Sequence, residues 1–308
     1  MLLPPWLQVR KMGLFTLFNY LWGVFAIGLL IVVATVLITC HLLVFIATRL
    51  FAKYPFKWSQ NFFTKVYSYI VFWVVQTSCP SSRIRVAIDK DDWQTNELLY
   101  RSFRFGARVL NDNSPRNLKL VVMANHQLYS DWIYTWSFLS RLGLAGSIRF
   151  ILKRDLMFFP VIGLGMKLME FIFVSRNWEK DKLKLARRVK RLVYGDFPYA
   201  LVIFPEGTTL SKETFESMKK HATEKKIDPS MLPKNSLLPR VNGIQTALVS
   251  LSSEGCDGIL DLTFAYEGAD FSKEDPEMTF GINSLLFKST APKSIHIHAK
   301  YYSLDDIP

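Results

Sequence analysis

A histidine and an aspartate five residues apart form the first candidate site in the sequence. His126 follows an apolar run that ends at Ala124, and Asp131 stands where a helical pattern begins. The Asp131 carboxylate could hydrogen-bond one imidazole nitrogen and stabilise the imidazolium, while the other nitrogen takes a proton from a hydroxyl. Helix capping would explain Asp131 equally well. The spacing alone therefore leaves general-base catalysis and capping both open.

A second polar element, the segment Phe-Pro-Glu-Gly-Thr-Thr at 204–209, follows another apolar run. Sites in α/β sheets form at strand ends, so Glu206 could hydrogen-bond a substrate hydroxyl there. Gly207, followed by Thr208, would let backbone N–H groups approach a phosphate closely. An ordinary Pro-Glu-Gly turn is the alternative interpretation of the same residues.

Two arginines end short segments that also resemble strand ends. Arg176 closes the segment Phe-Val-Ser-Arg, and a guanidinium there could grip a phosphate with two parallel hydrogen bonds. Arg240 closes Leu-Leu-Pro-Arg, a strand-like piece in which Pro239 limits a strand to an edge or an end. Both arginines are candidates for binding an anionic substrate.

The four segments resemble, in this order, the four blocks of the glycerophosphate and lysophospholipid acyltransferase family. They are NHQLYSD, FVSR, FPEGTTLS and LLPR, and they span residues 125–240. Each block is short, but four in series beside strand signals are specific. The segments MANHQLYSDW, FPEGTTLS and LLPRVNG are further similar in sequence to the eukaryotic branch that remodels lysophosphatidylinositol or lysocardiolipin, particularly its fungal members.

The resemblance implies a role for each matched residue. His126 would be the general base, and Asp131 would orient it. The residues that would hold the acceptor's phosphate and glycerol, or complete the pocket and its CoA side, are Arg176, Glu206, Gly207, Thr208, Pro239 and Arg240. The co-substrate would be acyl-CoA, the acceptor a lysophospholipid, and no cofactor would be bound.

The resemblance also implies a membrane location. We expect the endoplasmic reticulum membrane, with the lipid droplet and the mitochondrial membrane as alternatives. Relatives of this branch often carry a further C-terminal membrane region. The sequence ends at Pro308, soon after a strand signal, so we expect that region to be absent or removed.

Three other functions are compatible with the same residues. A CoA-independent transacylase would take its acyl chain from another phospholipid, a lysophospholipid hydrolase would use water as the acceptor, and a non-catalytic protein would only bind lipid. The intact pair of His126 and Asp131 argues against the non-catalytic protein. The sequence contains no Gly-x-Ser-x-Gly segment, which argues against a serine lipase.

The patterning around the blocks predicts an α/β domain from about Arg83 onward. Strands are predicted at 118–124, 171–174, 200–204, 259–266 and 294–302, and helices at 131–142, 181–194, 212–226 and 244–251. This alternation predicts a mixed, largely parallel sheet flanked by helices. In helix 181–194, the predicted apolar side contains Leu183, Ala186 and Val189, and the basic residues form the polar side.

The N-terminal part of the chain predicts membrane helices. Apart from His41, no acidic or basic residue lies between Lys11 and Arg49, a stretch longer than the roughly 20 residues that one span needs. We expect one long tilted span or a hairpin broken near Gly23 or Gly28. The next apolar stretch, 62–75, predicts an interfacial helix, the second arm of a helical motif, or a buried core helix.

We therefore divide the chain into membrane helices at 1–80 and an acyltransferase α/β domain at 81–308. The flanking lysines and arginines favour the cytosolic face for the second domain. One apolar segment of that domain, 156–173, is too broken by proline and glycine for a span. It could line an acyl-chain tunnel, lie against the bilayer, or form ordinary core.

Composition narrows the class of partner. The chain is 50% hydrophobic and carries a net charge of +12, which favours anionic headgroups or a phosphorylated substrate. Its basic residues form no nucleic-acid motif, so we expect no nucleic acid, and nothing indicates an obligatory protein partner. Cys40, Cys79 and Cys256 are too scattered for a disulfide framework or a zinc site, and we expect no metal.

Overall fold

The computed structural model describes residues 13–51, 56–88, 118–175, 177–193, 197–251 and 255–304. Within these residues one sheet has seven strands: β1 Arg83–Ile88, β2 Lys119–Ala124, β3 Ile148–Lys153, β4 Ile172–Val174, β5 Tyr199–Ile203, β6 Gly258–Tyr266 and β7 Ser294–Ser303. Their order across the sheet is β1-β7-β6-β2-β5-β3-β4. Only β6 and β7 pair antiparallel among the described pairs, so the predicted mixed, largely parallel sheet is confirmed.

Helices cover both faces of this sheet. In chain order they are α1 Leu14–Phe51, α2 Phe56–Ser78, α3 Asp131–Arg141, α4 Ile162–Leu168, α5 Trp178–Leu192, α6 Lys212–Glu224, α7 Val241–Leu251, α8 Pro276–Phe280 and α9 Ile282–Phe287. Successive side chains of a strand point to opposite faces. Leu120 and Val122 accordingly join the core under α3, and Val121 joins the core under α5 and α7. This two-sided burial explains why β2 is a continuous apolar run.

Strand β3 has no counterpart among the predicted strands. It contains Arg149, which is fully surrounded by protein, and a charged residue at such a position is unusual. The guanidinium donates to the carbonyl oxygens of Gly146 and Ile148 and to Asn61 Oδ1 at 3.0 Å. Hydrogen bonds that no sequence pattern reveals therefore allow this strand to carry a charge.

Helix α5 is amphipathic as predicted, but part of its predicted apolar side is wrong. Leu183 is 68% exposed, whereas Leu185, Val189 and Leu192 are buried. The buried side also includes Asp181, whose carboxylate accepts a hydrogen bond from Ser175. The buried side could not be predicted from the apolar pattern, because a polar residue, Asp181, occupies its first position.

Helices α1 and α2 form an antiparallel pair that is docked on the sheet domain. Trp22 of α1 donates its indole N–H to Ser78 Oγ of α2 at 2.9 Å. Helix α1 continues through Gly23 and Gly28, so the predicted breakpoints are wrong. A Cβ at Gly23 would collide with Phe287 of α9, so this glycine permits close packing instead of a break.

The sheet domain contacts the pair of α1 and α2, called the hairpin below, at several points along its length. A Cβ at Gly165 of α4 would lie 2.7 Å from Ile38 of α1, and Gln60 of α2 donates to the Leu168 carbonyl at 2.9 Å. Lys57 at the start of α2 donates to the last carbonyls of α5. One side of the hairpin is therefore covered by the domain.

In the part of the chain that the structure describes, Thr16–Thr48 is the one segment of helix long and apolar enough to cross a membrane. Only 17% of its most apolar window is buried. The core helix of a water-soluble protein would be mostly buried, so the exposure of α1 favours contact with lipid.

Candidate active site

The first and third blocks follow adjacent strands. Strand β2 pairs in parallel with both β5 and β6, so the carboxyl ends of these three strands lie at one edge of the sheet. His126 follows β2, Glu206 follows β5, and Tyr266 is the last residue of β6. Side chains that are far apart in sequence thus meet where ligands bind in open α/β sheets.

His126 and Asp131 are in direct contact. The distance between His126 Nδ1 and Asp131 Oδ2 is 2.9 Å, and the two side chains are 18% and 0% exposed. The Phe204 ring stacks on the imidazole with centroids 4.4 Å apart. With its proton on Nδ1, the imidazole donates to the carboxylate and keeps the Nε2 lone pair for a substrate proton.

The Asp131 carboxylate also organises the loop before α3. Oδ2 accepts the backbone N–H groups of Gln127 at 2.7 Å and Leu128 at 2.9 Å, and Oδ1 accepts the hydroxyl of Tyr266. None of these donors belongs to the first turn of α3. The carboxylate therefore holds the imidazole and its own loop, and capping of α3 does not account for it.

Glu206 joins three of the segments. Its Oε1 accepts the backbone N–H of His126 at 3.0 Å, and its Oε2 accepts that of Leu237 at 3.1 Å. The Leu210 N–H returns a hydrogen bond to the His126 carbonyl. Burial raises the pKa of Glu206 to about 7, against the opposing effect of the two backbone donors. Both oxygens of Glu206 therefore accept backbone N–H groups, one in the first block and one in the fourth.

Gly207 and Arg240 lie side by side. Gly207 has a φ of +70°, which glycine adopts without strain, and a Cβ on it would lie 3.4 Å from the Arg240 side chain. The Arg240 N–H donates to the Pro205 carbonyl at 2.8 Å. This contact brings the third and fourth blocks together and leaves an exposed guanidinium beside the turn.

Two other predicted site residues have looser positions. Thr208 is half-buried in the turn after Gly207, and Pro239 is exposed. The pattern of segment 237–240 is strand-like, but the structure shows no strand there. The segment leads directly into α7. Its backbone is held by hydrogen bonds to Glu206 and Pro205 instead of by a neighbouring strand.

Comparison with known proteins agrees with this geometry. Residues 107–259 match the family model described as Acyltransferase. These residues belong to the acyltransferase family. All four blocks lie within the match.

The relatives of this acyltransferase domain include fungal and plant enzymes. An uncharacterised acyltransferase of Schizosaccharomyces pombe is 35% identical over 188 residues, which are 61% of this chain and 52% of that protein. The 2-acyl-1-lysophosphatidylinositol acyltransferase of Saccharomyces cerevisiae is 29% identical over 221 residues, 61% of this chain and 54% of its own. A probable 1-acyl-sn-glycerol-3-phosphate acyltransferase of Arabidopsis thaliana is 32% identical over 197 residues, 64% of this chain and 49% of its own. The predicted family is confirmed, and the chain spans about half the length of these relatives.

One predicted residue of the acyltransferase domain, Arg176, lies outside the described residues. The residues beside it are described. Ser175 directly follows β4 and donates to Asp181, and Asn177 caps α5 by accepting the Lys180 N–H. The proposed phosphate contact of Arg176 therefore stays a prediction.

Three residues that the sequence analysis did not select also support the candidate active site. Tyr266 contacts Asp131, Asn125 exchanges two hydrogen bonds with the Phe264 backbone, and Glu277 accepts the Tyr129 N–H at 2.7 Å. Tyr266 and Glu277 lie beyond the four blocks. The available signal for Tyr266 was its place at the end of a predicted strand.

No group of three or more His, Cys, Asp or Glu side chains is arranged to hold a metal ion within the described ranges. The candidate active site therefore consists of one imidazole, two buried carboxylates and an exposed guanidinium.

Proposed function

We propose that this chain is a membrane-bound acyltransferase that moves a fatty acyl chain from acyl-CoA to the free hydroxyl of a lysophospholipid. The contact between His126 and Asp131 carries the proposal, because it supplies an oriented base at the sheet edge. The acceptor is lysophosphatidylinositol, a related anionic lysophospholipid, or lysophosphatidic acid. The names of the yeast and plant relatives support these headgroups.

The reaction needs one base and no covalent enzyme intermediate, since the thioester is already activated. His126 Nε2 takes the proton of the lysolipid hydroxyl as its oxygen attacks the thioester carbonyl carbon. The carbon–sulfur bond breaks, and the imidazolium returns the proton to the departing sulfur of CoA. The buried Asp131 carboxylate stabilises the imidazolium between these two proton transfers.

The guanidinium of Arg240 supports anion binding next to the base. It lies over Gly207, in the turn whose Glu206 is bonded to the His126 backbone. A lysophospholipid phosphate placed against Arg240 and Arg176 would bring its glycerol hydroxyl towards the imidazole. Pro239, Thr208 and Gly207 would shape this pocket or its CoA side.

The membrane helices at 1–80 and the catalytic domain at 81–308 act together in this proposal. Exposed apolar side chains along α1 would meet lipid, while the other side of the hairpin rests on the domain. We place the chain at the endoplasmic reticulum membrane, or at a lipid droplet or mitochondrial membrane, with its catalytic domain on the cytosolic face.

A second apolar surface lies on the catalytic domain itself. Phe158 and Phe159 are 66% and 56% exposed, and Val161, Ile162 and Leu164 extend this surface. Helix α4, which carries part of it, packs against Ile38 of α1. Because of this contact with the hairpin, we propose that the surface 158–164 lies against the same bilayer.

The decisive assay gives the detergent-purified protein labelled oleoyl-CoA and a panel of lysophospholipids. His126→Ala should lower the transfer rate about a hundredfold or more, because the general base is lost. His221→Ala, which removes an exposed imidazole on α6, is the matched control and should stay within about twofold of wild type. The panel ranks the headgroups in the same experiment.

Other outcomes would point to other functions. Transfer from a labelled phospholipid without acyl-CoA would indicate a transacylase, and release of free fatty acid would indicate a hydrolase. A wild-type protein that binds lysophospholipid but turns over no donor would be a lipid-binding protein. Full activity of His126→Ala would refute the general-base mechanism.

A further inference from the structure

The Asp131 carboxylate has one donor that comes from neither the four blocks nor its own loop. This donor is the hydroxyl of Tyr266, at the carboxyl end of β6. Its ring is buried and stacks near Phe264 and Tyr134, with centroids 6.4 and 5.8 Å away. Burial, together with the adjacent Asp131 charge, raises the pKa of Tyr266 well above its usual value, so the phenol remains a donor.

The two oxygens of Asp131 have different partners. Oδ2 receives His126 Nδ1 and two backbone N–H groups, whereas Oδ1 receives only the Tyr266 hydroxyl among the described residues. A buried carboxylate oxygen without a donor is costly and tends to reorient or gain a proton. The bond from Tyr266 therefore fixes the plane of the carboxylate.

We infer that Tyr266 is a positioning residue for the acyl transfer, acting on His126 only through Asp131. This inference rests on the proposed function. Tyr266 holds Oδ2 towards the imidazole Nδ1 and, by taking up part of the carboxylate's negative charge, limits how strongly Asp131 stabilises the imidazolium. The proton on Nε2 must leave again for the departing thiolate, so an imidazolium that is stabilised too strongly would slow turnover.

Several ionisable groups lie near the pair of His126 and Asp131. Facing it in the described structure are the carboxyl groups of Glu206 and Glu277 and the phenols of Tyr266 and Tyr134. Arg240 lies beside Gly207. A shift specific to Tyr266 must therefore be measured against a variant that removes a neighbouring phenol without a hydrogen bond to Asp131.

The test compares Tyr266→Phe with Tyr134→Phe over the pH range of activity, with acyl-CoA and the preferred lysophospholipid. Tyr134 is buried beside Tyr266 but makes no hydrogen bond to Asp131 in the described structure. In Tyr266→Phe we expect kcat to fall about tenfold, with KM changed less than about twofold. The acid limb of the profile should move to higher pH, because a carboxylate without the Tyr266 donor stabilises the imidazolium more strongly. Tyr134→Phe should show neither change.

If Tyr266→Phe folds poorly, a double-mutant cycle separates the loss that depends on Asp131 from a general loss of folding. In an Asp131→Asn background, replacing Tyr266 should cost less than about twofold, since its partner charge is already gone. An undiminished loss in that background, or an unshifted profile in Tyr266→Phe alone, would overturn the inference while leaving the general base intact. Full activity of His126→Ala would instead refute the proposed function itself.

Discussion

At the carboxyl ends of β2 and β5 two carboxylates are buried, whereas along α1 and the surface 158–164 large apolar side chains are exposed. Asp131 and Glu206 are 0% and 5% exposed, yet Phe158 is 66% exposed. Charged groups are usually exposed to water and large apolar groups are usually buried, and these two regions show the reverse. The buried carboxylates and the exposed apolar side chains both need a compensating partner, and the two partners differ.

The partners of the buried carboxylates are inside the molecule. Asp131 accepts hydrogen bonds from four donors and Glu206 from two, and most of them are backbone N–H groups. The partner of the exposed apolar surface lies outside the molecule, because no described element covers Phe158. In the proposed function, the buried carboxylates belong to the reaction centre and the uncovered apolar surface meets the membrane.

Replacement of Asp131 should have the largest effect on the first region. In Asp131→Ala, the N–H groups of Gln127 and Leu128 and the Tyr266 hydroxyl lose their acceptor in a buried site. We expect the free energy of unfolding to fall by about 3 kcal/mol or more and the transfer rate by more than about a hundredfold.

Asp131→Asn separates these two losses. Its amide oxygen can still accept the two backbone N–H groups, so thermal unfolding should change much less than in Asp131→Ala. The rate should still fall about a hundredfold, because the charge that stabilises the imidazolium is gone. An active Asp131→Asn enzyme would show that the carboxylate is only a structural support.

The protonation of Glu206 should make the free energy of unfolding depend on pH. Its folded-state pKa of about 7 lies above the ordinary value of 4.5, so the folded form binds the proton more tightly than the unfolded chain does. This contribution to stability is present at low pH and is lost as the pH rises towards about 7. From pH 5 to 8, wild type should lose about 2 to 3 kcal/mol relative to Glu206→Gln, measured by thermal unfolding in detergent.

Equal pH dependence in both proteins would contradict this expectation. The comparison also tests the bonds to His126 and Leu237, since a glutamine has only one oxygen for two backbone donors. Glu213→Gln, on the exposed first turn of α6, is the control and should follow wild type.

Much of the sheet could be predicted because its strands are buried on two faces. The runs at β2, β5 and β6 are nearly free of polar residues, and their ends locate His126 and Glu206. Strand β3 could not be predicted, because its Arg149 is tolerated only through Asn61 of a distant helix and nearby carbonyls. Sequence patterns describe which face is buried, but they do not show which partner satisfies a charge there.

The candidate site was predictable in its residues but less so in its contacts. The spacing of His126 and Asp131 predicted a pair that the structure shows in contact. The same analysis assigned Glu206 to a substrate, whereas its oxygens accept backbone N–H groups of the first and fourth blocks. Tyr266 was missed because its role depends on β6 lying beside β2, which is a matter of strand order and not of local pattern.

The surface 158–164 should give the smallest effect, and one that depends on how the lipid is presented. Phe158 and Phe159 are exposed, so replacing both with serine should leave thermal unfolding and the activity in detergent micelles nearly unchanged. On bilayer vesicles that contain the acceptor, the rate should fall about threefold or more, because two aromatic side chains no longer enter the lipid. The hairpin retains most of the membrane affinity, which limits the loss.

Serine at both Met231 and Val249, which are 72% and 69% exposed on other elements, should lower neither rate. An equal loss in micelles and vesicles would assign these phenylalanines to the fold of the domain, and an equal loss in the control would remove any special role of this surface.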